Sequence, residues 1–361
     1  MKAVHVETGR HFYGGAQQVI WLLEGLVAAG VDCELVCPPD SDIASRASAL
    51  GLSVVEMPCA GDHDIRFMWR LRNFLRKAKP DLVHCHSRRG ADFWGGRAAR
   101  AAGIPAVLSR RVDSLESSYF SRLRYKPFNK VIAISGNIAT VLNTAGINSD
   151  RLVVIRDAVD VDSVNQAPEA DVLSRYFDLT EKHFAIAVVA QLIRRKGHRF
   201  LFDVLPGLVF KNPQIRVVVF GVGPDEVQLR ALARKLGLSG AVKFAGFRLD
   251  LDEYLAAFDL LVHPAEKEGL GVAMLKGASA GLPVIAFDVA GAKEAVAHGK
   301  TGALIPAGDV ESLQKAIELM IEEPEMRRSL GAAGRQRMRD EFSVQAMVES
   351  HIALYDQLSN G

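Results

Sequence analysis

This 361-residue sequence has neither the cysteine pattern of a disulfide-bonded protein nor a membrane-spanning segment. Its four cysteines (Cys33, Cys37, Cys59 and Cys85) match neither a CxxC motif nor a zinc site, so we expect buried, reduced thiols. No apolar run approaches the roughly 18 residues of a membrane-spanning helix. The N-terminal segment also turns polar too early for a signal peptide. These absences predict a cytoplasmic protein with a large hydrophobic core.

The sequence also lacks a strong net charge, because 44 Lys and Arg residues offset 42 Asp and Glu residues. The charges are unevenly placed, since residues 60–130 contain 16 basic but only 6 acidic residues. The same segment is rich in aromatic residues. Such a segment is typical of a surface that binds an anionic partner. The alternative is a set of separate solvated helix faces that never form one patch.

Short β-branched segments alternate with longer amphipathic segments along most of the chain; one of the latter, Leu251–Ala257, is predicted to be a helix. This alternation predicts an α/β fold in which helices connect the strands of parallel sheets. The polar stretch Asp160–Asp178 interrupts the pattern and predicts a linker or domain edge. We therefore expect two doubly wound, Rossmann-like domains, residues 1–165 and 166–342. They would face each other across a cleft, with ligands beyond the carboxyl ends of the strands.

The most informative motif in the C-terminal half follows a strand that ends at His263. Glu268-Gly269-Leu270-Gly271 forms a glycine loop that leads into a helix. Loop glycines let the backbone approach a ligand closely, and the N–H groups at a helix start favour phosphate. A carboxylate in such a loop can accept hydrogen bonds from sugar hydroxyls. The alternative is an ordinary turn with a solvated glutamate.

Two further loops follow predicted strands in the same half. The first contains Gln191, Arg194, Arg195 and Lys196, which are either anion ligands or a solvated basic turn. The second contains the motif Gly221-Val-Gly223-Pro224, which is weak evidence for a nucleotide because a tight turn has the same pattern. The third glycine of a dinucleotide-binding fingerprint is missing, which argues against a nicotinamide-dependent dehydrogenase.

The Glu268 loop, together with Gly281-Leu-Pro283-Val-Ile further on, resembles the signature of the retaining glycosyltransferases of family 4, which have the GT-B fold. The resemblance extends over essentially the whole chain. It implies that Glu268 acts at the donor sugar and that Lys196 binds the donor diphosphate. Gly221 and Gly223 then belong near the nucleotide. It further implies that residues 343–361 form a helix that crosses back to the N-terminal domain.

Two residues depart from the family pattern. Lys276 replaces the second glutamate, which typically holds the ribose; a lysine has donors only and cannot accept from ribose hydroxyls. It could instead meet a phosphate or base oxygen. Gln191 replaces an arginine, and a hydrogen bond to a charged group is worth about 1.5–3 kcal/mol. Arg194 or Arg195 is close enough in sequence to compensate.

In the N-terminal half, Gly14-Gly15 precedes a helix and resembles the family's loop beside the acceptor and the donor phosphates. The strand Asp81–His84 leads into His84-Cys85-His86, and in related enzymes the second histidine faces the reacting sugar. His86 is therefore our catalytic candidate. The two histidines share one side of the strand and could also be a metal pair, but no third ligand is apparent. Simple packing of both is the other alternative.

Four arginines follow strand ends in this half and are predicted acceptor contacts: Arg88, Arg89, Arg110 and Arg111. The resemblance then implies a retaining transfer from a nucleoside diphosphate sugar, with a UDP-sugar favoured, in lipopolysaccharide or other cell-surface polysaccharide synthesis. The expected acceptor is an anionic or lipid-linked saccharide, and peripheral contact with an anionic membrane is expected. We expect no metal or other cofactor, since three loose D-x-D matches are typical of acidic turns.

Nucleic acid is not an expected partner, because no recognition motif accompanies the charge. Two other functions stay open at this point. A non-hydrolysing sugar-nucleotide epimerase shares the two-domain architecture but does not need the Glu268 loop. A non-catalytic paralogue that binds a partner glycosyltransferase or a glycan would explain why Gln191 and Lys276 depart from the pattern.

Overall fold

The computed structural model describes residues 1–88, 90–161 and 170–359. The chain forms two compact units, Met1–Ala158 with the last helix, and Val159–Ser343. The predicted boundary at residues 165 and 166 lies outside the described residues. Each unit contains one parallel sheet with helical connections, so the predicted α/β class is confirmed.

The first unit has a seven-stranded sheet in the order β3-β2-β1-β4-β5-β6-β7. The central strands consist almost entirely of buried residues, because helices cover both faces of the sheet. Its strands are β1 (Lys2–Val6), β2 (Asp32–Cys37), β3 (Ser53–Glu56), β4 (Leu82–Cys85), β5 (Ala106–Arg110), β6 (Lys130–Ala133) and β7 (Leu152–Val154). Its helices are α1 (Gly14–Ala28), α2 (Asp42–Ala49), α3 (Ile65–Ala78), α4 (Gly96–Ala102), α5 (Ser118–Tyr125) and α6 (Gly136–Thr144).

The second unit has a six-stranded parallel sheet in the order β10-β9-β8-β11-β12-β13. Its strands are β8 (Phe184–Val189), β9 (Ile215–Phe220), β10 (Val242–Gly246), β11 (Leu260–His263), β12 (Val284–Phe287) and β13 (Gly302–Ile305). Its helices are α7 (Ala170–Phe177), α8 (His198–Lys211), α9 (Glu226–Lys235), α10 (Val272–Ser279), α11 (Ala290–Ala295), α12 (Val310–Glu322) and α13 (Pro324–Glu341). In both sheets the strand order reverses direction beside the first strand, as in doubly wound folds.

The last helix, α14 (Val344–Ser359), packs in the first unit against α1 and β4. Met347, Val348, Leu354 and Tyr355 are buried there in the same core as the apolar side of α1. The Tyr355 hydroxyl also lies 2.5 Å from Nδ1 of His84 in β4. This helix therefore helps to position the end of the strand that carries the His84-Cys85-His86 motif.

Some local predictions were wrong. The segment Leu251–Ala257 forms two short 3₁₀ turns instead of the expected helix. The stretch Asp160–Asp178, predicted to be a linker or domain edge, ends in helix α7, because Phe177 is buried against Phe220 and Tyr254. Residues 162–169 of that stretch lie outside the described residues. Strand β13 and helices α2, α5, α6 and α11 were not predicted.

The four cysteines are free, and three of them are buried, while Cys59 is partly exposed. In the part of the chain that the structure describes, no helix combines the length and apolar character required to cross a membrane.

Candidate functional site

The carboxyl edge of the second sheet brings two of the predicted motifs into contact. Glu268 follows β11 and Lys196 follows β8, its neighbour in the sheet. One carboxylate oxygen of Glu268, Oε2, accepts hydrogen bonds from Lys196 Nζ at 2.5 Å and from His263 Nε2 at 2.7 Å. Its other oxygen, Oε1, accepts from the Gly269 amide at 3.2 Å. We call Lys196, His263 and Glu268 the carboxylate cluster.

The electrostatics of this cluster keep Glu268 ionised. Burial by itself raises the pKa of the carboxyl group, because desolvation penalises its charged form. The hydrogen bond and ion pair with His263, and then the charge of Lys196, outweigh burial and hold the pKa of Glu268 well below its ordinary value. Glu268 thus stays ionised in the cluster, with the Lys196 side chain beside it.

A close approach of two backbones fixes the position of Lys196. Gly197 has φ +70°, and a Cβ atom there would overlap the carbonyl oxygen of Pro264. The two loops are also joined by a hydrogen bond of 2.8 Å from the Glu266 amide to the Arg195 carbonyl. Only glycine allows this backbone conformation and this approach together. The sequence therefore sets the geometry between Lys196 and Glu268 through main-chain contacts.

Gly221 and Gly223, in the loop that follows β9, let the ends of β8 and β9 pack closely against each other. A Cβ on Gly221, which has φ +134°, would overlap the Ala190 carbonyl oxygen, and one on Gly223 would overlap the Leu192 carbonyl oxygen. The Leu192 amide donates to the Val222 carbonyl at 3.0 Å across the same junction. Both glycines are thus required by packing at the candidate site. Their contact with a nucleotide stays a prediction.

The remaining predicted donor residues surround this edge. Gln191, Arg194 and Arg195 are exposed, and Arg195 donates to the Lys267 carbonyl at 3.3 Å. Among the described residues, Arg194 makes no side-chain hydrogen bond or ion pair. Leu270 is buried, and Gly271 immediately precedes α10. Arg194 is thus a cation whose charge is available for an anionic ligand.

Lys276, which departs from the family pattern, has a carboxylate partner. Its Nζ lies 2.8 and 2.5 Å from the two carboxylate oxygens of Asp252, in the 3₁₀ turn after β10. Both side chains keep about a quarter of their surface exposed, 23% for Lys276 and 24% for Asp252. The sequence had suggested no role for Asp252. The pair supplies both a donor and an acceptor, whereas lysine alone supplies only donors.

In the first unit, His86 is part of a buried group of histidines. Its Nε2 lies 2.9 Å from Nδ1 of His5, while the two nitrogens of His84 lie 2.8 Å from Ser109 Oγ and 2.5 Å from the Tyr355 hydroxyl. Burial lowers the pKa of His86 well below its ordinary value, so the imidazole is neutral. His86 can therefore donate or accept a hydrogen bond but carries no charge.

A third histidine that was not apparent from the sequence, His5, lies beside His84 and His86. Nitrogen atoms of His5, His84 and His86 lie within 4.8 Å of one another. The sequence could not show this, because His5 and His84 become neighbours only through the register of β1 and β4. Both nitrogens of His84 already have partners, which makes the group a hydrogen-bonded network of the core.

A cavity of about 310 Å³ opens at the carboxyl edge of the first sheet. The predicted residues His86, Gly15, Arg88, Arg110 and Arg111 all line it. Gly14 is instead the first residue of α1 and is not among the lining residues, while Arg89 lies outside the described residues. The sequence therefore located five lining residues of one cavity from three separate segments.

The arginines of this cavity already have carboxylate neighbours. Arg88 and Arg110 both bond to Glu116, with Arg110 at 3.3 Å, and Arg111 Nε donates to Asp157 at 3.1 Å. Arg88 keeps 42% of its side chain exposed, whereas Arg110 keeps only 3%. Of the three predicted acceptor arginines that the structure describes, Arg88 is therefore the most accessible, since Arg111 keeps only 13% of its side chain exposed.

Sequence reasoning missed two carboxylates that line the same cavity, Glu7 and Asp92. Burial raises the pKa of Glu7, although hydrogen bonds from Gly9 and Ser87 and the charge of Arg111 oppose this. Glu7 directly follows β1, so its position at a carboxyl edge was the available signal. Asp92 Oδ2 accepts from Arg124 at 2.5 Å in a buried pair.

A pH dependence of stability is expected from Asp92. Desolvation outweighs the attraction of Arg124 and raises the pKa of Asp92 from 3.8 to about 7. An acid with a raised folded-state pKa contributes most stability below its unfolded value, and loses that contribution as the pH rises through the folded value. The free energy of unfolding of the native protein should therefore fall relative to that of Asp92→Asn between about pH 4 and pH 7. Denaturation at several pH values measures this difference, and parallel curves for the two proteins would contradict it.

Comparison with known proteins agrees with this fold and these motifs. Residues 13–163 match the model of Glycosyltransferase Family 4, and residues 173–337 match that of Glycosyl transferases group 1. The chain is therefore a glycosyltransferase with the GT-B fold, built from two Rossmann-like units. It belongs to glycosyltransferase family 4.

Curated relatives differ in how much of the chain they match. The lipopolysaccharide core biosynthesis glycosyltransferase LpsD of Rhizobium meliloti is 24% identical over 99% of this chain and 98% of its own length. The alpha-maltose-1-phosphate synthase of Mycolicibacterium smegmatis is 30% identical over 77% of this chain and 79% of its own. The putative glycosyltransferase EpsD of Bacillus subtilis is 34% identical, but the match spans only 49% of each chain.

Among solved structures, Anabaena HepE in complex with UDP superposes with a TM-score of 0.88 at 21% identity, over 99% of this chain and 100% of that chain. HepE has also been solved in complex with UDP-glucose. At this identity the likeness establishes the fold of the present chain.

Proposed function

We propose that this glycosyltransferase moves a sugar, with retention of its anomeric configuration, from a nucleoside diphosphate sugar to a saccharide or lipid-linked acceptor. The observation that carries the proposal is the contact of Glu268 with Lys196 and His263 at the edge of the second sheet. An ionised carboxylate suits the hydroxyls of a donor sugar. A lysine ammonium beside it suits the diphosphate.

In this proposal the donor is a UDP-sugar. HepE, which has the same fold, has been solved with UDP and with UDP-glucose, and this supports the choice of nucleotide. The Lys276–Asp252 pair gives the donor site a carboxylate acceptor next to α10, where the family pattern has a glutamate. We assign Asp252 the contact with the ribose hydroxyls, and Lys276 the role of holding Asp252 in place.

The proposed chemistry uses the cations of the chain itself. Negative charge develops on the departing diphosphate, and Lys196 with the unpaired Arg194 would stabilise it in the transition state. No metal is assigned a role. The acceptor hydroxyl attacks from the face that the diphosphate leaves, and a phosphate oxygen takes its proton. Neutral His86 would form hydrogen bonds with the reacting sugar.

We assign the acceptor to the cavity of the first unit, where Arg88 and Arg111 suit an anionic or lipid-linked saccharide. The similarity to LpsD over nearly the full length supports a role in lipopolysaccharide or other cell-surface polysaccharide synthesis.

A donor screen read by thermal unfolding tests the proposal. UDP-glucose, UDP-galactose, UDP-N-acetylglucosamine and GDP-mannose are compared, because a ligand that binds only the folded state raises stability, by about 2.7 kcal/mol at 100 times its Kd. We expect a higher Tm with at least one UDP-sugar. A Tm that no nucleotide sugar changes would contradict a donor site and favour a non-catalytic paralogue. Interconversion of UDP-sugars without an acceptor would instead identify an epimerase.

A further inference from the structure

Three helices of the first unit contain basic residues but no acidic ones. Helix α3 has five basic residues, α4 has two and α5 has two, and none of the three contains an aspartate or glutamate. Most of the excess positive charge of residues 60–130 is therefore concentrated on these helices. They cannot neutralise it through the i to i+4 ion pairs that usually stabilise exposed helices.

The structure places the three helices side by side. Arg72 and Arg76 of α3 both donate to the carbonyl oxygen of Ala101 at the end of α4, at 3.3 and 3.4 Å. Arg97 of α4 donates to the carbonyl oxygen of Leu123 in α5 at 2.8 Å. The basic segments thus form one continuous surface, which we call the α3–α5 face. This packing favours one patch over the alternative of separate helix faces.

Exposed cations are spread over the whole face. Arg66 and Lys77 of α3, Arg100 of α4, Arg122 of α5 and the adjacent Lys126 are all exposed. Among the described residues, none of these five makes a side-chain hydrogen bond or an ion pair. Other arginines of the same helices are neutralised internally, as Arg124 is by Asp92. The free charges therefore all lie on the outer surface.

Large apolar side chains are exposed among these cations. Trp69 is 50% exposed, Tyr119 74%, Phe120 61% and Leu123 41%. Helix α5 buries only Ser121 and Tyr125, so its apolar residues at positions 119, 120 and 123 face away from the core of the unit. Aromatic residues flanked by basic ones are the composition of protein surfaces that lie in the headgroup region of a bilayer.

We propose that the α3–α5 face docks on a membrane surface that contains anionic lipids. The unpaired cations complement the negative surface potential, and the exposed aromatic residues insert between the headgroups. A highly charged soluble partner such as RNA would use the cations but leave Phe120 and Leu123 without a role. The proposal refines the assigned lipid-linked acceptor, since docking would bring such an acceptor to the enzyme. It therefore rests in part on the proposed function.

Vesicle co-sedimentation of the full chain tests this docking. Vesicles of phosphatidylcholine alone are compared with vesicles that also contain phosphatidylglycerol, at low and high salt. We expect binding only to the anionic vesicles, weakened by salt. The triple variant Arg66→Glu, Arg100→Glu, Arg122→Glu changes one residue on each helix. It should bind at least about 100-fold more weakly, since each basic residue near such a surface contributes roughly a factor of 5.

The matched control reverses three exposed arginines of the second unit, Arg234→Glu, Arg328→Glu and Arg339→Glu. It has the same net charge as the triple variant and should bind anionic vesicles like the native protein. A second variant, Phe120→Ser with Leu123→Ser, removes apolar surface at constant charge and should also weaken binding. An equal loss of vesicle binding in the control and the triple variant would overturn the proposal. No binding of the native protein to either kind of vesicle would overturn it as well. So would binding of RNA by this face with none to vesicles.

These outcomes are separable from a failure of the proposed function. The vesicle assay needs no donor, and the thermal response to UDP-sugars is measured on the same variants. The α3–α5 face contributes no residue to the carboxylate cluster, so the triple variant should keep the donor-induced rise in Tm. Loss of vesicle binding with an unchanged donor response therefore reports on docking alone.

Discussion

Replacing Lys196 by alanine is expected to slow release of the nucleoside diphosphate from the donor by about 10²- to 10³-fold, as is usual for removal of one charge-stabilising donor. Lys196 lies 2.5 Å from Glu268, so in our proposal it orients this carboxylate and neutralises the leaving diphosphate. Its removal also takes away one of the two groups that lower the pKa of Glu268. Slow hydrolysis of the donor provides a measurement that needs no acceptor.

The control for this variant is a second lysine–glutamate pair in the same unit. Lys211 lies 2.7 Å from Glu318, but its side chain is 59% exposed and its pair lies on α8 and α12. Lys211→Ala should keep hydrolysis within about twofold of the native rate, because exposed pairs contribute little. Lys196→Arg keeps the charge and should retain more activity than Lys196→Ala. Native turnover in Lys196→Ala would contradict the assigned role.

The sequence predicted where Lys196 and Glu268 lie in the fold, but not that their side chains are in contact. Each follows a predicted strand, and the rule that parallel strands end at one edge already places them on the same side of the sheet. Their hydrogen bond depends on side-chain conformations and on the approach of Gly197 to Pro264, which no local pattern encodes. His263 was missed because it ends an apolar strand and there resembles a core residue.

Contacts that depend on strand register or on turn conformation could not be predicted from the sequence, for the same reason. His5 lies opposite His84 only because β1 pairs with β4, 79 residues further along the chain. Asp252 reaches Lys276 because Leu251–Ala257 forms short turns in place of the predicted helix. Alternation of strands and helices is a local property, and it predicted both sheets except for β13. Partners across a sheet are a non-local property.

For the α3–α5 face, the structure shows how the charged residues are arranged in space, which the amino-acid composition does not. Counting charges in residues 60–130 left two alternatives open, one patch or several. The hydrogen bonds to the Ala101 and Leu123 carbonyl oxygens favour one patch, because they join neighbouring helices across 29 and 26 residues of sequence. A charge count therefore indicates an interaction surface only when the fold brings the charged elements together.

Gly221→Ala is expected to lower the free energy of unfolding by more than about 4 kcal/mol, a loss in the range that only severe steric or strain effects reach. The added methyl group would overlap the Ala190 carbonyl oxygen at the junction of β8 and β9, and alanine is strained at φ +134°. The backbone atoms it meets belong to the sheet, so they have little freedom to move away. Binding of UDP-sugars should then fail as a consequence of the damaged junction.

The matched control is Gly237→Ala, because Gly237 also has a positive φ of +71° but has no atom within 4 Å of the added methyl group. Its free energy of unfolding should therefore fall only by the cost of the left-handed conformation, about 1–2 kcal/mol. Urea denaturation measures both variants, and equal losses would contradict the steric account. If Gly221→Ala instead unfolded like the native protein but bound no UDP-sugar, Gly221 would be a ligand contact and not a packing requirement. The two results separate the roles that a glycine loop at a strand end can have.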